Sequence, residues 1–328
     1  MQRALTLAAV LLAFVVVVAG AYVRLSDAGL GCPDWPGCYG RLTPAQAAQD
    51  IERTVRAQGG EHGPVSLAKA WKEMGHRYLA GALGLMILAI AVLAWRQREA
   101  RWLAAATLAL VAFQGTLGMW TVTLLLKPAI VTAHLLGGMA TLALLVCLVL
   151  AQGRHQPAPQ ARSLRLPAAL GLAAVAVQVA LGGWVSANYA ALACPDLPLC
   201  LGKALPPMDF ANAFHVLREL GMTPGGELLS REALTAIHWT HRMFALVATA
   251  AALWAAGCAW RLHALRPLAV LIAAALAVQI ALGVANVLAG LPLWLAAAHN
   301  AGAALLLAAL VVLNFFSFRG LQPQSAPT

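Results

Sequence analysis

Charged side chains are scarce in this chain. Only 10% of its 328 residues are Asp, Glu, Lys or Arg, and just 12 of them are acidic. A soluble domain carries about 25% charged residues, so the composition excludes an ordinary soluble protein. Hydrophobic residues make up 61% of the chain, and the mean hydropathy is +0.77. The net charge of +10 therefore has no soluble basic domain to carry it, and we expect no binding to nucleic acid.

Two kinds of metal motif are also missing. The sequence contains no paired Asp-rich motifs, which excludes a prenyltransferase that binds a diphosphate through magnesium. It also lacks the combination of thiolate and thioether ligands that is typical of many copper sites. A copper site is still possible but is not the best fit to this sequence.

Long apolar runs are what the chain has in abundance. Eight of them have about the 20 residues that a membrane helix requires, at 4–23, 76–95, 102–122, 129–151, 166–186, 238–260, 266–288 and 293–317. The first run follows Arg3 and could be read as a secretory signal. Its counterpart in the second half, the fifth run, cannot be one, so we expect the first run to be retained as a helix. The prediction is an all-α integral membrane protein with eight transmembrane helices.

Basic residues orient the predicted helices. One set of connections carries ten of them against a single acid, Glu99; they are Arg3, Arg96, Arg98, Arg101, Arg154, Arg162, Arg165, Arg261, Arg266 and Arg319. The positive-inside rule assigns this set to the cytoplasm. Both termini are then predicted to be cytoplasmic, and the long loops at about 24–75 and 187–237, which contain two cysteine pairs, to lie outside.

The second half of the chain repeats the first. His76 and His134 are 58 residues apart (134 − 76), as are His241 and His299 (299 − 241), and the second pair is the first moved by 165 residues (241 − 76). Two further matches are Gln114–Gly118 with Gln279–Gly283, and Cys-Pro-Asp at 32–34 with Cys-Pro-Asp at 194–196. Each half holds four helices that run in the same directions, which is a parallel repeat. We predict two parallel-repeat four-helix bundles, at 1–153 and 154–328.

The histidine pairs are the candidate functional residues. His76, His134, His241 and His299 fall near the outer ends of their helices and at similar depths. Histidine is rare inside a membrane and marks function there, and two imidazoles on facing helices are what an axially ligated haem needs. A structural zinc site would need four ligands in a closed tetrahedron and fits less well. The alternative is that each histidine is a satisfied polar residue within its bundle.

The charged residues beside the histidines each allow a functional and a purely structural interpretation. Arg77 and Arg242 are at the level where helix N-termini favour anionic haem propionates, although they could equally snorkel to the interface. Glu73 precedes His76 by three residues, where the second half has His238 before His241. A carboxylate near a cofactor can shift proton affinities or stabilise a cationic intermediate, or Glu73 simply pairs with Lys72 or Arg77. This asymmetry predicts different roles for the two halves.

The cysteines of the outer loops form two close pairs, Cys32 with Cys38 and Cys194 with Cys200. Both loops are predicted to face an oxidising compartment, where disulfides persist. A static staple is the simpler interpretation, particularly for the second pair. For the first pair, which shares its half with Glu73, redox or substrate-linked chemistry stays open.

Three segments carry a resemblance to a known family. The stretch 23–38 (VRLSDAGLGCPDWPGC) resembles the opening of bacterial haem A synthases, and 73–77 (EMGHR) and 238–242 (HWTHR) resemble that family's signature segments. The resemblance covers nearly the whole chain. It implies an enzyme of the bacterial inner membrane that oxidises a ring methyl of haem O, through an alcohol, to the formyl group of haem A.

The resemblance also implies roles for individual residues. The second half would bind haem b through His241 and His299 as an electron relay. The first half would bind haem O at His76 and His134, with Glu73 essential nearby. The Cys32/Cys38 pair would contribute to function. Implied partners are the haem O synthase and assembly factors of the terminal oxidase, while the electron donor and a homo-oligomeric state stay open.

Two other functions share the four histidines. A di-haem electron-transfer cytochrome would need haems at different depths for transfer across the membrane, whereas these ligands cluster near one face. A haem carrier for oxidase assembly would bind the same ligand and leave it chemically unchanged. Neither gives a reason for Glu73 in one half only.

Overall fold

The computed structural model of the protein describes residues 2–60 and 62–323. Within them the chain forms ten α-helices: α1 (Gln2–Leu25), α2 (Ala48–Ala57), α3 (Leu67–Gln97), α4 (Arg101–Thr123), α5 (Pro128–Ala151), α6 (Arg165–Ala187), α7 (Phe210–Ala213), α8 (Arg231–Trp260), α9 (Arg266–Leu288) and α10 (Leu293–Arg319). Two strands of three residues each, β1 (His155–Pro157) and β2 (Leu321–Pro323), form the sheet found among these residues. The predicted all-α class is confirmed.

Eight of these helices are long and apolar enough to cross a membrane, all except the short α2 and α7. The chain is therefore a multi-pass membrane protein, as the hydropathy predicted. We call the side of the molecule that carries 26–66 and 188–230 the cysteine-loop side. Helices α3, α5, α8 and α10 begin there and run towards the other side.

Helices α3 and α8 begin well before their apolar runs. They start at Leu67 and Arg231, nine and seven residues earlier than predicted (76 − 67 and 238 − 231). In each case a serine begins the helix: the side chain of Ser66 accepts a hydrogen bond from Lys69 N, and that of Ser230 from Ala233 N. Side-chain N-caps of this kind satisfy backbone donors that the helix leaves unpaired. The added turns of α3 include Glu73, whereas His238 already belongs to the predicted run.

The spanning helices contact one another in two similar rings. In the first half α1 packs on α3 and α5, and α4 packs on both of them; in the second half α6 packs on α8 and α10, and α9 packs on both of those. The rings meet where α1 and α5 contact α10 and where α5 contacts α6. A buried core of aliphatic side chains runs through this central region, including Ile87, Leu145, Ile272 and Leu310. The division into two separate folding units stays a prediction.

The side opposite the cysteine loops is fastened by the strand pair. Strand β1 lies in the linker between the halves and pairs antiparallel with β2, with His155 opposite Pro323. Arg165 also donates to Phe318 O at 3.0 Å. The linker is thereby held against the end of α10.

Candidate functional site

The fold brings each predicted histidine pair together. His76 lies on α3 and His134 on α5, while His241 lies on α8 and His299 on α10. They follow the first residue of their helices by 9, 6, 10 and 6 residues (76 − 67, 134 − 128, 241 − 231, 299 − 293), so all four lie about 9 to 15 Å along the helix axis from the start. In each half the two helices that carry the histidines pack against the same two neighbours, α1 and α4 in the first half and α6 and α9 in the second.

Each imidazole lies against a glycine of a neighbouring helix. A Cβ built on Gly20 of α1 would be 2.9 Å from His76 Cε1, and one on Gly118 of α4 would be 3.3 Å from His134 Cε1. The second half repeats this arrangement: a Cβ on Gly182 of α6 or on Gly283 of α9 would be 3.1 Å from Cε1 of His241 or His299. A larger residue would close the space beside the ring, so glycine is required where the imidazole approaches the helix backbone so closely.

The ring nitrogens carry unused hydrogen-bonding capacity. Nδ1 of His76, His134 and His299 is buried without a partner among the described residues. Buried polar atoms are nearly always paired, so such atoms require an explanation. Two buried imidazoles in each half are a donor set that would hold a haem iron. No cluster of three or more His, Cys, Asp or Glu that could hold a metal ion occurs in the described part of the chain.

Glutamines lie close to the imidazoles. Gln279 of α9 has Nε2 3.3 Å from His299 Nε2, and its side chain fills the space above Gly302. Gln114 of α4 fills the corresponding space above Gly137. The sequence contained a signal for these two glutamines, because both belong to the repeated Gln-Gly segments, but it gave them no role.

Glu73 and His238 occupy equivalent positions, and each accepts a backbone hydrogen bond from a cysteine loop. Cys32 N donates to Glu73 Oε2 at 2.9 Å, and Cys194 N donates to His238 Nδ1 at 3.2 Å. Glu73 and His238 are only 4% and 5% exposed, so each is a buried acceptor for the first cysteine of its loop. Glu73 also forms an ion pair with Arg77, which was one of the two predicted interpretations.

Arg77 and Arg242 fasten the cysteine loops to the helices that carry the histidines. Arg77 donates to Asp34 O at 2.8 Å and to Gly37 O at 2.5 Å. Arg242 donates to Asp196 O at 2.9 Å and to Leu199 O at 3.0 Å. The loop carbonyls are equivalent under the displacement of 162. The guanidinium groups thus contact the loops, and their predicted role towards haem propionates stays a prediction.

The predicted disulfides, Cys32–Cys38 and Cys194–Cys200, are confirmed. Within each loop an aspartate accepts two backbone N–H groups: Asp34 from Tyr39 and Gly40, and Asp196 from Leu201 and Gly202. The N–H of Gly202, followed by that of Leu201, holds the pKa of Asp196 below its usual range. Each loop is therefore a closed turn stabilised by an aspartate.

An aromatic residue of α3 or α8 holds each loop at a second point, beyond its disulfide. Tyr78 donates from its hydroxyl to Leu42 O at 2.5 Å, and Trp239 donates from Nε1 to Ala204 O at 3.0 Å. The two carbonyls are related by the displacement of 162 (204 − 42). Sequence comparison of the halves missed this pair, because the two aromatic residues are not at equivalent positions.

Arg24 joins the two halves between the histidine sites. Its guanidinium donates to Ser186 O at 2.9 Å and lies 4.0 Å from the centre of the Tyr189 ring. Tyr189 in turn donates to Asp27 at 2.9 Å. Arg24 is one turn beyond Gly20, and Ser186 is one turn beyond Gly182, so the joint links the two helices that face His76 and His241.

The chain is similar to known proteins over most of its length. Residues 3–311 match a family model described as cytochrome oxidase assembly protein. A protein named Heme A synthase from Shewanella oneidensis is 41% identical over 307 residues, which cover 92% of either chain. One of the same name from Rhizorhabdus wittichii is 32% identical over 92% of this chain and 89% of its own length. One from Halalkalibacterium halodurans is 29% identical over 70% and 73%.

Proposed function

Since this chain belongs to the haem A synthase family, we propose that it is the membrane oxidoreductase that oxidises a ring methyl of haem O to the formyl group of haem A. The reaction would proceed in two oxidations, first to an alcohol and then to a hydrated aldehyde, which loses water. With water as the source of oxygen, each oxidation releases two protons to solvent and passes two electrons to an external electron acceptor. The observation that carries the proposal is the pair of duplicated bis-histidine sites, each lined by glycine, of which one alone has a buried carboxylate beside it.

The two halves take different roles in this proposal. His241 and His299 would hold a resident haem b, and His76 and His134 would hold the substrate haem. A bound haem b supplies one-electron transfer, while the protein contributes orientation and electrostatics. The support for this division is that the carboxyl group of Glu73 has an imidazole, that of His238, as its counterpart.

Glu73 has two functions that can be separated. Its Oε2 accepts the N–H of Cys32, and its Oε1 faces Arg77. The first contact fixes the loop over the site. We propose that this carboxylate, while paired with Arg77, stabilises positive charge that would develop at the methyl carbon of the substrate, which favours water as the source of the alcohol oxygen.

The cysteine-loop side is proposed to lie outside the cytoplasm. The opposite connections carry the excess of arginine, which supports this orientation. The haem sites then lie near the outer surface of the bacterial inner membrane. The haem O synthase that supplies the substrate and the assembly factors of the oxidase are the partners that we propose.

The decisive experiment compares Glu73→Gln with the wild-type protein in a host that makes haem O. Glutamine retains an oxygen that can accept the N–H of Cys32 and removes the charge. We expect Glu73→Gln to retain haem b and to form no haem A, measured by visible spectroscopy and by chromatography of the extracted haems. His238→Gln, at the equivalent position, serves as the matched control and retains haem A formation.

Two outcomes would contradict the proposal. If the wild-type protein contains haem b alone and no modified haem appears in the membranes, the protein is an electron-transfer cytochrome. If haem O binds and is released unchanged, the protein is a carrier. Label from oxygen-18 water in the alcohol, with none from oxygen-18 gas, supports trapping by water, and the reverse result contradicts it.

A further inference from the structure

Three arginines line one cavity at the end of the molecule opposite the cysteine loops. The cavity has a volume of about 750 Å³ and lies where α4 begins and where α5 and α10 end. Arg98 and Arg101 reach it from the turn between α3 and α4, and Arg319 reaches it from the last residue of α10. Arg101 and Arg319 are 218 residues apart (319 − 101), so it is the fold that brings these guanidinium groups to one place.

The charges in this cavity are not neutralised by carboxylates of the protein. Among the described residues, none of the three arginines forms an ion pair with Asp or Glu, and this includes Glu99 of the same turn. Arg101 lies against aromatic rings instead, with its guanidinium carbon 5.4 Å from the centres of Trp95 and Trp102. Like charges gathered in one cavity repel one another, and a planar guanidinium matches the oxygens of a phosphate group. The cavity therefore favours a ligand that carries a phosphate.

An apolar groove adjoins the cavity. It has a volume of about 510 Å³, lies between α3 and α4, and is lined by apolar residues such as Leu88 and Ala109, with Arg96 as its charged residue. Trp95 lines the groove and Trp102 lines the cavity, and their ring centres are 5.4 Å apart, so the two spaces are neighbours. From Leu88 to Trp95 the groove follows α3 for about 10 Å, within a helix that is long and apolar enough to span the membrane. Such a groove suits a hydrocarbon chain.

The equivalent turn of the second half is built differently. Under the displacement of 165, Arg98 corresponds to His263, and Trp102 corresponds to Pro267. Strand β2 also packs against the turn His263–Leu265. The positive-inside rule accounts for arginine in turns on this side of the protein, but it does not require three arginines to converge on one cavity beside an apolar groove.

We propose that the cavity and the groove together bind an anionic phospholipid, with its phosphate at Arg98, Arg101 and Arg319 and an acyl chain in the groove between α3 and α4. Basic pockets between membrane helices recognise anionic headgroups by this chemistry. The two tryptophans suit the level of the headgroups, where this residue type is enriched. Because Arg319 belongs to the second half and the other two arginines to the first, the bound headgroup joins the halves at the end opposite the cysteine loops.

The test is native mass spectrometry of the full-length protein, purified in detergent and titrated with phosphatidylglycerol, with zwitterionic phosphatidylethanolamine or with inorganic phosphate. We expect the first molecule of phosphatidylglycerol to bind more tightly than the zwitterionic lipid. The double variant Arg98→Gln/Arg101→Gln should weaken that binding about 25-fold, at about fivefold for each basic residue near an anionic headgroup. Arg261→Gln/Arg266→Gln removes the same charge from the equivalent turn of the second half and should leave the binding unchanged.

A second pair of variants tests the groove without any change in charge, and it also covers the case in which the arginine variants do not fold. Ala109 lines the groove, and Ala274 is its equivalent in the second half (274 − 109 = 165); both are exposed. Tryptophan at position 109 would fill the space that the acyl chain needs. Ala109→Trp should therefore weaken the binding of phosphatidylglycerol, whereas Ala274→Trp should not.

Four results would overturn the proposal. Equal weakening by the two double arginine variants would show that net charge alone matters, and equal binding of the two lipids would show that the arginines do not select an anion. Binding of inorganic phosphate at the arginines, with lipid binding unchanged in Ala109→Trp, would show a site for a free anion. Loss of a dimer in Ala109→Trp, with lipid binding unchanged, would assign the groove to a second copy of the chain. None of these readouts involves haem, so their outcome is independent of the proposed reaction.

Discussion

Alanine at Gly182 or Gly283 would test whether the imidazoles of the second half depend on a bare helix backbone. The new Cβ would be 3.1 Å from Cε1 of His241 or His299. That separation is tighter than nine in ten Cβ contacts in proteins, so the ring must move by a few tenths of an ångström. The ring is held by its own helix and, in a loaded protein, by iron, so the strain falls on the bond between them.

The magnitude follows from two opposing effects. Overpacking of a well-packed interior costs about 1–3 kcal/mol. Alanine favours the helix over glycine by about 1 kcal/mol, but this gain is made whether or not haem is bound. Only the overpacking changes the haem affinity, which should therefore fall about 5- to 150-fold.

The assay is the ratio of haem to protein after purification, followed by the rate of haem transfer to apomyoglobin. Gly257→Ala on α8 is the matched control, because its Cβ would meet nothing within 4 Å; its haem content should equal that of the wild type. If Gly182→Ala and Gly283→Ala also retain haem as the control does, the glycine contacts do not define the haem sites, and the reasoning is refuted.

Three further results are expected. Arg24→Leu removes hydrogen bonds from a largely buried guanidinium to the end of α6, at about 1.5–3 kcal/mol for a bond to a charged group, and should lower the thermal unfolding temperature; an unchanged temperature would show that the halves do not depend on this joint. Because Asp196 has a lowered pKa, its support of the second cysteine loop is present at neutral pH and is lost as the pH falls through that lowered value. The protection of the Leu201 and Gly202 amides in hydrogen exchange should differ between wild type and Asp196→Asn at pH 6, and the difference should shrink towards pH 3. Finally, the denatured, unreduced chain should take up two alkyl groups, at Cys147 and Cys258, and any higher number would show that a disulfide is absent.

The sequence predicted the features that depend on periodicity and on rare residue types. The apolar runs marked all eight spanning helices to within a few residues at most ends. The exceptions were the starts of α3 and α8, where polar turns capped by Ser66 and Ser230 extend the helix beyond the apolar run. The equal spacing of the histidines predicted their pairing, since helices that alternate in direction bring residues of similar depth together.

Contacts between distant segments could not be predicted from the spacing of residues in the sequence. Glu73 was recognised from its place before His76, yet its contact with Cys32 N crosses 41 residues and depends on how the loop folds back. The contact between Gln178 of α6 and His241 gave no signal, because a single glutamine in an apolar run has no pattern and its partner lies 63 residues away. Gly118 and Gly283 lie in the repeated segments, but the repeat gave them no role. Gly20 and Gly182 gave no signal, because glycine is common in membrane helices.

The two aromatic anchors of the cysteine loops hold equivalent carbonyls from different positions in the two halves. Under the histidine displacement of 165, Tyr78 corresponds to Met243 and Trp239 corresponds to Met74, so each half has a methionine where the other has its anchor. The loop carbonyl is nevertheless held in both. The tether between helix and loop is therefore common to the two halves, although the residue that provides it lies at a different position in each. A comparison of the halves should accordingly ask which side chain holds the loop carbonyl, since a comparison position by position does not find the shared contact.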